Sequence, residues 1–289
     1  MLSAFLAIYI IWGSTYLAIR FGVETLPPFL MAAIRFLLAG TILFLWERFR
    51  GSPMPTLLQW RSGAIVGGLL LLIGNGGVTW AEQVIPSGVT ALLISTSPFW
   101  FVVLDWLIFG GVRPTRQIAL GLVVGLCGVV LLIGPDRILA GGGFPVSGIL
   151  VLMLATVSWA GGSLYSRRAP LPSSPFMATA VEMLAGGGLL LLLSVVTGEP
   201  FHLDPAAVSV KSLLALTYLF LFGSLVGFTA YVWLLRVTTP ARVSTYAYVN
   251  PVIAVILGWT LGGEEMTGRM IVAALVIVVG VVLIVMRKQ

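Results

Sequence analysis

The sequence WGSTYLAIR at residues 12–20 recurs as WAGGSLYSR at residues 159–167, with Trp and Arg in register 147 positions apart. Chance matches among Leu and Val would mean little, but Trp, Arg and Pro are uncommon residues. The register therefore predicts an internal duplication, with one unit at residues 1–140 and a second at residues 146–289. Further matches are Pro28 with Pro175 at 147 positions, and Trp80 with Trp233, Pro98 with Pro251 and Trp106 with Trp259 at 153 positions.

The composition places both units in a membrane. Only 9% of the 289 residues are Asp, Glu, Lys or Arg, and 59% are hydrophobic. A soluble domain carries about 25% charged residues, which it needs to cover its water-facing surface. A soluble globular protein is therefore excluded, and the lipid bilayer is the expected surrounding of most of the chain.

Ten apolar runs of spanning length follow one another, separated by short turns rich in Pro and Gly. A membrane β-barrel would need segments of alternating polarity, which these runs do not show. The sequence therefore predicts an all-α integral membrane protein with ten transmembrane helices. The runs are residues 2–19, 29–46, 63–81, 90–109, 117–133, 147–165, 176–197, 212–235, 243–261 and 270–286.

The number of runs in each unit decides how the two units are related. Five runs is an odd number, so the second unit must enter the membrane from the opposite side to the first. The prediction is two inverted five-helix repeats, an architecture shared by many secondary transporters. Such a pair of repeats can open a cavity first to one side of the membrane and then to the other.

Basic residues predict the orientation, because Lys and Arg concentrate in cytoplasmic loops. With the amino terminus inside, eleven basic residues fall in cytoplasmic connections and four on the other side, namely Arg20, Arg137, Lys211 and Arg269. Both termini are therefore expected in the cytoplasm.

Polar and aromatic residues near the middle of the runs are candidates for the wall of a substrate cavity, because such side chains have no favourable partner where a helix faces lipid. Asn75 and Thr79 share one helix face, as do Tyr246 and Asn250. For Asn75 and Asn250, an interhelical hydrogen bond is the alternative to cavity lining. The substrate-binding candidates are Trp12, Tyr16, Asn75, Thr79, Ser95, Trp100, Trp159, Tyr246, Tyr248 and Asn250.

Two prolines occupy equivalent positions in the fourth and ninth runs. Pro98 and Pro251 each remove a backbone hydrogen bond and should kink a helix in mid-membrane, freeing carbonyls that bind substrate or allow flexing. A static kink is the alternative, but matching prolines in both units favour gating. Gly223 and Gly227 in the eighth run are further hinge candidates.

Three ionisable residues lie within the runs: Arg35, Asp105 and Glu182. Intramembrane charges are functional candidates by default. Arg35 and Glu182 are shallow enough for their side chains to reach the interface or to pair structurally, which is the alternative. With no acidic residue at the centre of a run, an obligatory carboxylate proton carrier is not evident, and the expected substrate carries no net charge.

Several other classes of function lack the residues they need. With one His and one Cys, neither a zinc site nor a Ser/His or Cys/His hydrolytic site can be assembled. No GxxxxGK[ST] loop is present to bind a nucleotide, which disfavours ATP-driven transport by this chain alone. No cofactor is expected. The 16 basic residues are scattered and form no stripe for nucleic acid. An enzyme is not expected.

Three motifs resemble the drug/metabolite transporter superfamily of the EamA type: WGSTY from Trp12, PPFLMAAIRF at residues 27–36 and NPVIAV from Asn250. The resemblance covers essentially the whole chain, which is also similar to the YddG-type amino-acid exporters of that superfamily. It implies a central cavity lined by helices 1–4 and 6–9, with helices 5 and 10 at the periphery. The duplication is imperfect, because Arg35 is matched by Glu182 and Asp105 by Gly258, so charged roles need not be symmetric.

These observations together predict a secondary transporter that works by alternating access, one half rocking against the other. The resemblance implies export of small amphipathic molecules across a bacterial inner membrane, chiefly neutral amino acids with aromatic or hydrophobic side chains. Aromatic residues would hold the apolar part of the small-molecule substrate, while Asn75, Thr79, Asn250 and freed carbonyls hold the polar end. A broad-specificity drug or metabolite extruder and a non-transporting membrane scaffold are the alternatives.

Overall fold

The computed structural model describes residues 1–111, 113, 115–133, 144–238, 243, 244 and 246–285. Within those residues all regular secondary structure is helical, and no strand occurs. The main helices are α1 (Leu2–Gly22), α2 (Pro28–Phe49), α3 (Leu57–Ala81), α4 (Ser87–Leu107), α5 (Arg116–Ile133), α6 (Val146–Ser166), α7 (Pro175–Val196), α8 (Val210–Val237), α9 (Tyr246–Leu261) and α10 (Gly268–Val285).

Seven of these helices, α1–α4 and α6–α8, are long and apolar enough to cross a membrane. Shorter apolar stretches lie in α9 at Val249–Leu261 and in α10 at Gly268–Gly280. The predicted all-helical membrane class is confirmed. Four of the basic residues that predict the orientation lie outside the described residues: Arg137, Arg242, Arg287 and Lys288. Residue 286, at the end of the tenth predicted run, lies outside them as well.

Local sequence explains where the helices begin, and it lengthens two of them beyond their apolar runs. At the start of α3, Thr56 and Gln59 form a capping box, in which the Thr56 Oγ1 accepts from Gln59 N at 3.3 Å. The cap starts the helix six residues before the predicted run, with polar residues in its first turns. Ser209 caps α8 in the same manner, accepting from Ser212 N at 3.1 Å.

Corresponding turns of the two halves have the same backbone geometry. Gly51 and Gly198, 147 positions apart, follow α2 and α7 with φ of +85° and +79°. Gly110 and Gly263, 153 positions apart, follow α4 and α9 with φ of +67° and +65°. This left-handed conformation ends a helix and suits glycine, which has no Cβ. The separations are those found between the repeated tryptophans and prolines.

Two helices contain a π-helical segment at equivalent places. The segment Gly68–Asn75 lies inside α3 and the segment Leu219–Phe228 inside α8, and their last residues are 153 positions apart. Such segments are rare in proteins overall, but they often occur at functional sites. The wider turn redirects the side chains that follow it. Both segments reach the central cavity described below.

Glycines allow helices from different halves to pack backbone against backbone. A Cβ added to Gly67 of α3 would lie 2.4 Å from Glu182 O and 2.8 Å from Gly186 N of α7. A Cβ added to Gly280 of α10 would lie 2.5 Å from Gly125 N of α5. Small residues at such crossings bring backbones close, which is a main source of helix association in lipid.

Candidate functional site

A cavity lies among the helices, with a volume of about 670 Å³ when the part open to the outside is included. Its described wall comes from α1, α2, α3, α4, α6, α8 and α9. The resemblance implied these helices and α7, but no described residue of α7 lines the cavity. Of the predicted residues, Trp12, Tyr16, Asn75, Trp159, Tyr246, Gly223 and Arg35 line it.

Four aromatic rings meet at one border of the cavity. The centroid of Trp12 lies 5.5 Å from Trp159, 5.3 Å from Tyr246 and 4.9 Å from Tyr231. Trp159 and Tyr246 lie 5.3 Å and 6.1 Å from Tyr231. The edge-to-face arrangements at Trp12 are favourable ring geometries. The four residues come from α1, α6, α8 and α9, so this aromatic cluster joins both halves of the chain.

Hydrogen bonds fix the orientation of the cluster. Trp159 Nε1 donates to Tyr231 Oη at 2.9 Å, and the hydroxyls of Ser163 and Tyr231 lie 2.6 Å apart. Tyr231 is 0% exposed. Its importance did not emerge from the sequence, although Gly223, Gly227 and Tyr231 follow one another at four-residue intervals and therefore share a face of α8.

The two hinge candidates of α8 lie against Trp12. Trp12 Nε1 donates to Gly223 O at 3.4 Å. A Cβ added to Gly227 would lie 2.6 Å from Trp12 Nε1, so a side chain at this position would displace the indole. The structure therefore gives Gly227 a role in the close approach of α8 to Trp12.

The polar side of the cavity is formed by Arg35 and Asn75. Arg35 is 3% exposed, so the alternative in which its side chain reaches the membrane interface is wrong. Arg35 Nη2 donates to Asn75 Oδ1, and the guanidinium carbon lies 4.4 Å from the ring centroid of Phe36. Thr79 lies behind Asn75, donating its hydroxyl to Asn75 O at 2.8 Å, and it does not line the cavity.

Helix α4 is interrupted at Ser95 and Thr96, immediately before Pro98, as the proline predicted. The carbonyls of Leu92, Leu93 and Ile94 are nevertheless not free, because they accept from Ser95 Oγ, Thr96 Oγ1 and Ser97 Oγ at 2.6, 2.8 and 2.5 Å. Hydroxyl groups three residues along supply the bonds lost at the interruption. This corrects the expectation that Pro98 offers open carbonyls to the substrate, and it also explains why Ser95 faces its own backbone.

Asn250, Trp100 and Pro251 are not among the described residues that line the cavity. The Asn250 side-chain amide lies against two carbonyl oxygens, Tyr9 O at 3.0 Å and Tyr246 O at 3.1 Å, which assigns its nitrogen to that side as the donor. The contact with Tyr9 of α1 corresponds to the interhelical alternative. Trp100 contacts Phe99 at 4.7 Å between centroids and packs with Ala160 and Leu164. Pro251 lies inside α9, and the Tyr248 side chain lies outside the described part.

The remaining intramembrane charges also lie outside the cavity. Glu182 is 0% exposed, so it does not reach the interface either, and neither carboxylate oxygen has a hydrogen-bond partner among the described residues. Asp105 lies at the end of α4, where a Cβ added to Gly111 would be 2.2 Å from Asp105 Oδ2. Its carboxylate therefore packs against the turn that follows α4.

One acidic residue was missed. Glu82 directly follows α3, one residue beyond the predicted apolar run, yet it is 0% exposed, and both of its carboxylate oxygens lack a partner in the described part of the chain. Burial, and next the nearby Glu264 carboxylate, raise the pKa of Glu82 well above its ordinary value, against the opposing effects of Arg20 and Arg35. Only the three-dimensional packing shows this residue, because its sequence context is a turn.

Both halves of the chain resemble a known family of proteins. The sequence matches the EamA-like transporter family twice, over residues 1–134 and over residues 146–286. The chain belongs to the EamA-like transporter family. The resemblance predicted from the motifs is confirmed, and membership in a family of transporters agrees with the expectation that the protein is not an enzyme.

Relatives within the EamA-like family cover nearly the whole chain. The chain is 42% identical over 289 residues to the uncharacterized inner membrane transporter YedA of Escherichia coli (strain K12), covering 100% of this chain and 91% of that protein. It is 24% identical over 284 residues to a probable amino-acid metabolite efflux pump of Salmonella typhimurium (strain LT2), covering 95% and 91%. A solved crystal structure superposes with a TM-score of 0.67 at 23% identity, covering 98% of this chain and 95% of that one, and shows the fold alone.

The cavity of this EamA-like transporter combines two kinds of surface. Aromatic rings supply apolar area with fixed geometry, and Arg35, Asn75 and Ser97 supply polar groups on other parts of the wall. Such a wall can hold a small molecule that has an apolar body and a polar end.

Proposed function

We propose that this protein is a secondary transporter that exports small amphipathic metabolites across the bacterial inner membrane, chiefly neutral amino acids with aromatic or hydrophobic side chains. The observation that carries the proposal is the central cavity, bordered by four contacting aromatic rings and lined on another part by polar groups. The Salmonella relative, named as a probable amino-acid metabolite efflux pump, supports this substrate class.

The proposed architecture is ten transmembrane helices in two inverted five-helix repeats, at residues 1–140 and 146–289. Three observations support it: the family matches twice, the turns after α2 and α7 and after α4 and α9 have equivalent backbone geometry, and the π-helical segments of α3 and α8 are equivalent. Inverted repeats allow the same fold to open toward either side of the membrane.

The proposed orientation has both termini in the cytoplasm, from the distribution of basic residues. YedA, an inner membrane transporter, supports a location in the inner membrane. In this orientation Ile19, Arg35 and Val78 line the cavity near the outer ends of their helices. Glu182, which corresponds to Arg35 in the second half, is not among the described residues that line the cavity. This asymmetry supports a cavity that faces outward in the described conformation.

Alternating access then requires a second conformation in which the cavity opens toward the cytoplasm. By the symmetry of the repeats, α7 would line the cavity in that state, and Glu182 would replace Arg35 as the charged residue of its wall. Cytoplasmic substrate would enter that state, and the outward-facing state would release it.

The experiment is transport by purified protein in liposomes, with phenylalanine, tryptophan, leucine, a nucleotide sugar and a cationic drug as probes. Trp12→Ala and Trp159→Ala should lower amino-acid flux about tenfold or more, because each loses several ring contacts of about 0.5–1.5 kcal/mol. Trp100→Ala is the matched control, since Trp100 does not line the cavity, and it should retain flux.

The probes separate the alternatives. Movement of the drug without any amino acid would favour a broad-specificity extruder over the proposed function. Absence of flux for every probe would favour a membrane scaffold, and equal flux in all three tryptophan variants would remove the aromatic cluster from the transport pathway.

A further inference from the structure

Arg35 is a buried cation that faces the cavity without a contacting carboxylate. It is 3% exposed, and the described part of the chain contains one ion pair, Lys211 with Glu24, which is on the surface. Arg35 Nη2 is held by Asn75 Oδ1, whereas Nε has no hydrogen-bond partner in the described structure. Phe36 covers one face of the guanidinium at 4.4 Å.

This arrangement leaves a charge incompletely satisfied. An arginine side chain cannot lose its proton in a protein and carries five N–H donors in a fixed planar fork. Burying such a charge is costly unless an anion and further hydrogen bonds compensate it. The nearby acid Glu82 acts on Arg35 only through space, because no ion pair joins them. Asn75 and Phe36 therefore orient a cation that no carboxylate contacts in the described part of the chain.

We infer that Arg35 binds the carboxylate of the transported molecule, with Asn75 as a positioning residue and the aromatic cluster taking up the apolar part. The inference rests on the proposed function and specifies its substrate class. A guanidinium and a carboxylate form short, charge-assisted hydrogen bonds in a geometry that an amide or ester cannot match.

The wall provides no equivalent partner for an amino group. No Asp or Glu is among the described residues that line the cavity, so Arg35 is the one formal charge of that lining. An ammonium group would find only ring faces, hydroxyls and amide or carbonyl oxygens there. The substrate class is therefore aromatic and hydrophobic monocarboxylates, in which the carboxylate is required and the amino group is dispensable. The inference therefore departs from the expectation of a substrate without net charge.

The experiment compares four ligands that share a phenyl ring. Phenylalanine carries both charged groups, 3-phenylpropionate lacks the amine, phenylalaninamide lacks the carboxylate charge and phenethylamine lacks the carboxylate. Each competes against radiolabelled phenylalanine in liposomes containing the wild-type protein, and each is titrated separately against tryptophan fluorescence, which reports binding without transport. We expect 3-phenylpropionate to match phenylalanine, and both carboxylate-free ligands to bind about tenfold or more weakly.

Variants assign the discrimination to one residue. Arg35→Gln should lose the preference for carboxylate ligands, so that phenylalanine and phenylalaninamide bind with affinities within about twofold of each other. Arg35→Lys should retain part of that preference. Lys211→Gln, which removes a surface cation of the exposed ion pair, is the control and should behave as wild type. If Arg35→Gln does not fold, the ligand series on the wild-type protein still decides.

The outcomes separate this inference from the proposed function. Transport of phenylalanine with equal competition by phenylalaninamide would overturn the role of Arg35 and leave the transport of amino acids intact. Lack of transport by any phenyl compound, with selective binding of 3-phenylpropionate by fluorescence, would sink the proposed function and support the carboxylate site. Retained discrimination in a folded Arg35→Gln protein would refute the assignment to Arg35.

Discussion

A carboxylate from the α9–α10 turn caps the start of α4, and its neutralisation should measurably destabilise the protein. Glu264 Oε1 accepts from Ser87 N at 2.7 Å and from Ser87 Oγ at 2.6 Å, and Oε2 accepts from Gly88 N at 3.1 Å. These amides are the first of the helix and have no partner within it. The side chain thus joins the second half of the chain to a helix of the first.

The cost of Glu264→Gln follows from these three bonds. The amide oxygen can keep the two bonds from Ser87, but the amide nitrogen would face Gly88 N, and two donors cannot bond. Losing one bond to a charged acceptor costs about 1.5–3 kcal/mol, and losing negative charge at a helix N-terminus costs about 0.3–1 kcal/mol. We expect the free energy of unfolding to fall by about 2–4 kcal/mol.

The measurement is unfolding of the purified protein in detergent micelles, titrated with sodium dodecyl sulfate and followed by circular dichroism. Glu265→Gln is the matched control, because the neighbouring carboxylate is exposed, and its effect should stay within about 0.5 kcal/mol. Combining Glu264→Gln with Ser87→Ala should cost less than the sum of the two single effects, since both act on one network. A loss below about 0.5 kcal/mol for Glu264→Gln, or an equal loss for Glu265→Gln, would refute the capping argument.

Three further predictions concern packing, protonation and the aromatic cluster. Gly67→Ala should cost several kcal/mol of stability because its Cβ meets the backbone of α7, whereas Gly188→Ala, with no atom within 4 Å, should be close to neutral in the same titration. Since burial raises the pKa of Glu82, its contribution to stability is fully present below the ordinary value of 4.5 and is lost as pH rises through the raised pKa. As pH rises, the melting temperature should therefore fall less steeply in Glu82→Gln than in wild type or in the surface control Glu24→Gln. Parallel curves of melting temperature against pH for the three proteins would contradict this. Gly227→Ala should lower amino-acid flux by displacing Trp12, whereas Gly161→Ala, whose nearest contact is an ordinary 3.7 Å, should not; equal flux in both would separate Gly227 from the cluster.

The sequence predicted those parts of the site that the duplication repeats. Trp12 and Trp159 occupy equivalent positions, and both border the cavity. Tyr231 was missed because its counterpart 153 positions earlier is Val78, which shares no chemistry with it. Val78 lines the cavity, and Tyr231 contacts the lining residues Trp12, Trp159 and Tyr246. A repeat search finds identical residues, whereas the wall requires only that equivalent positions face inward.

Burial was harder to predict than helix formation. Apolar runs show that a helix lies in the membrane, but a buried side chain and one that reaches the interface have the same sequence context. Arg35, Glu82 and Glu182 are all buried because neighbouring helices cover them, and that cover depends on packing between the two halves. The hydroxyls of Ser95–Ser97 were visible in the sequence, and their bonding to carbonyls three residues earlier could have been expected beside a proline.

Two apparent breaks in the symmetry are exchanges of position. Ser52 Oγ donates to Glu47 at 2.7 Å after α2, and Ser194 Oγ donates to Glu199 at 2.8 Å around the end of α7, with serine and glutamate interchanged at a separation of 147. In the turn after α4, a Cβ added to Gly111 would lie 2.2 Å from the Asp105 carboxylate. In the turn after α9, the Glu264 carboxylate would lie 2.5 Å from a Cβ added to Gly258. Each turn keeps its carboxylate although the residue that supplies it changes.

The positions of these carboxylates and glycines bear on which parts of the molecule move. Glu199 accepts from the first amides of α2, Phe29 N at 3.2 Å and Leu30 N at 2.7 Å, and Glu264 accepts from those of α4, so turns of the second half hold helices of the first. The glycine crossings of α3 with α7 and of α5 with α10 also join the two halves. Backbone contacts of this closeness tolerate little sliding, because any displacement brings main-chain atoms into overlap. A rocking motion that preserves them would move units composed of helices from both repeats, and the aromatic cluster, whose contacts are between side chains, is where such units can separate.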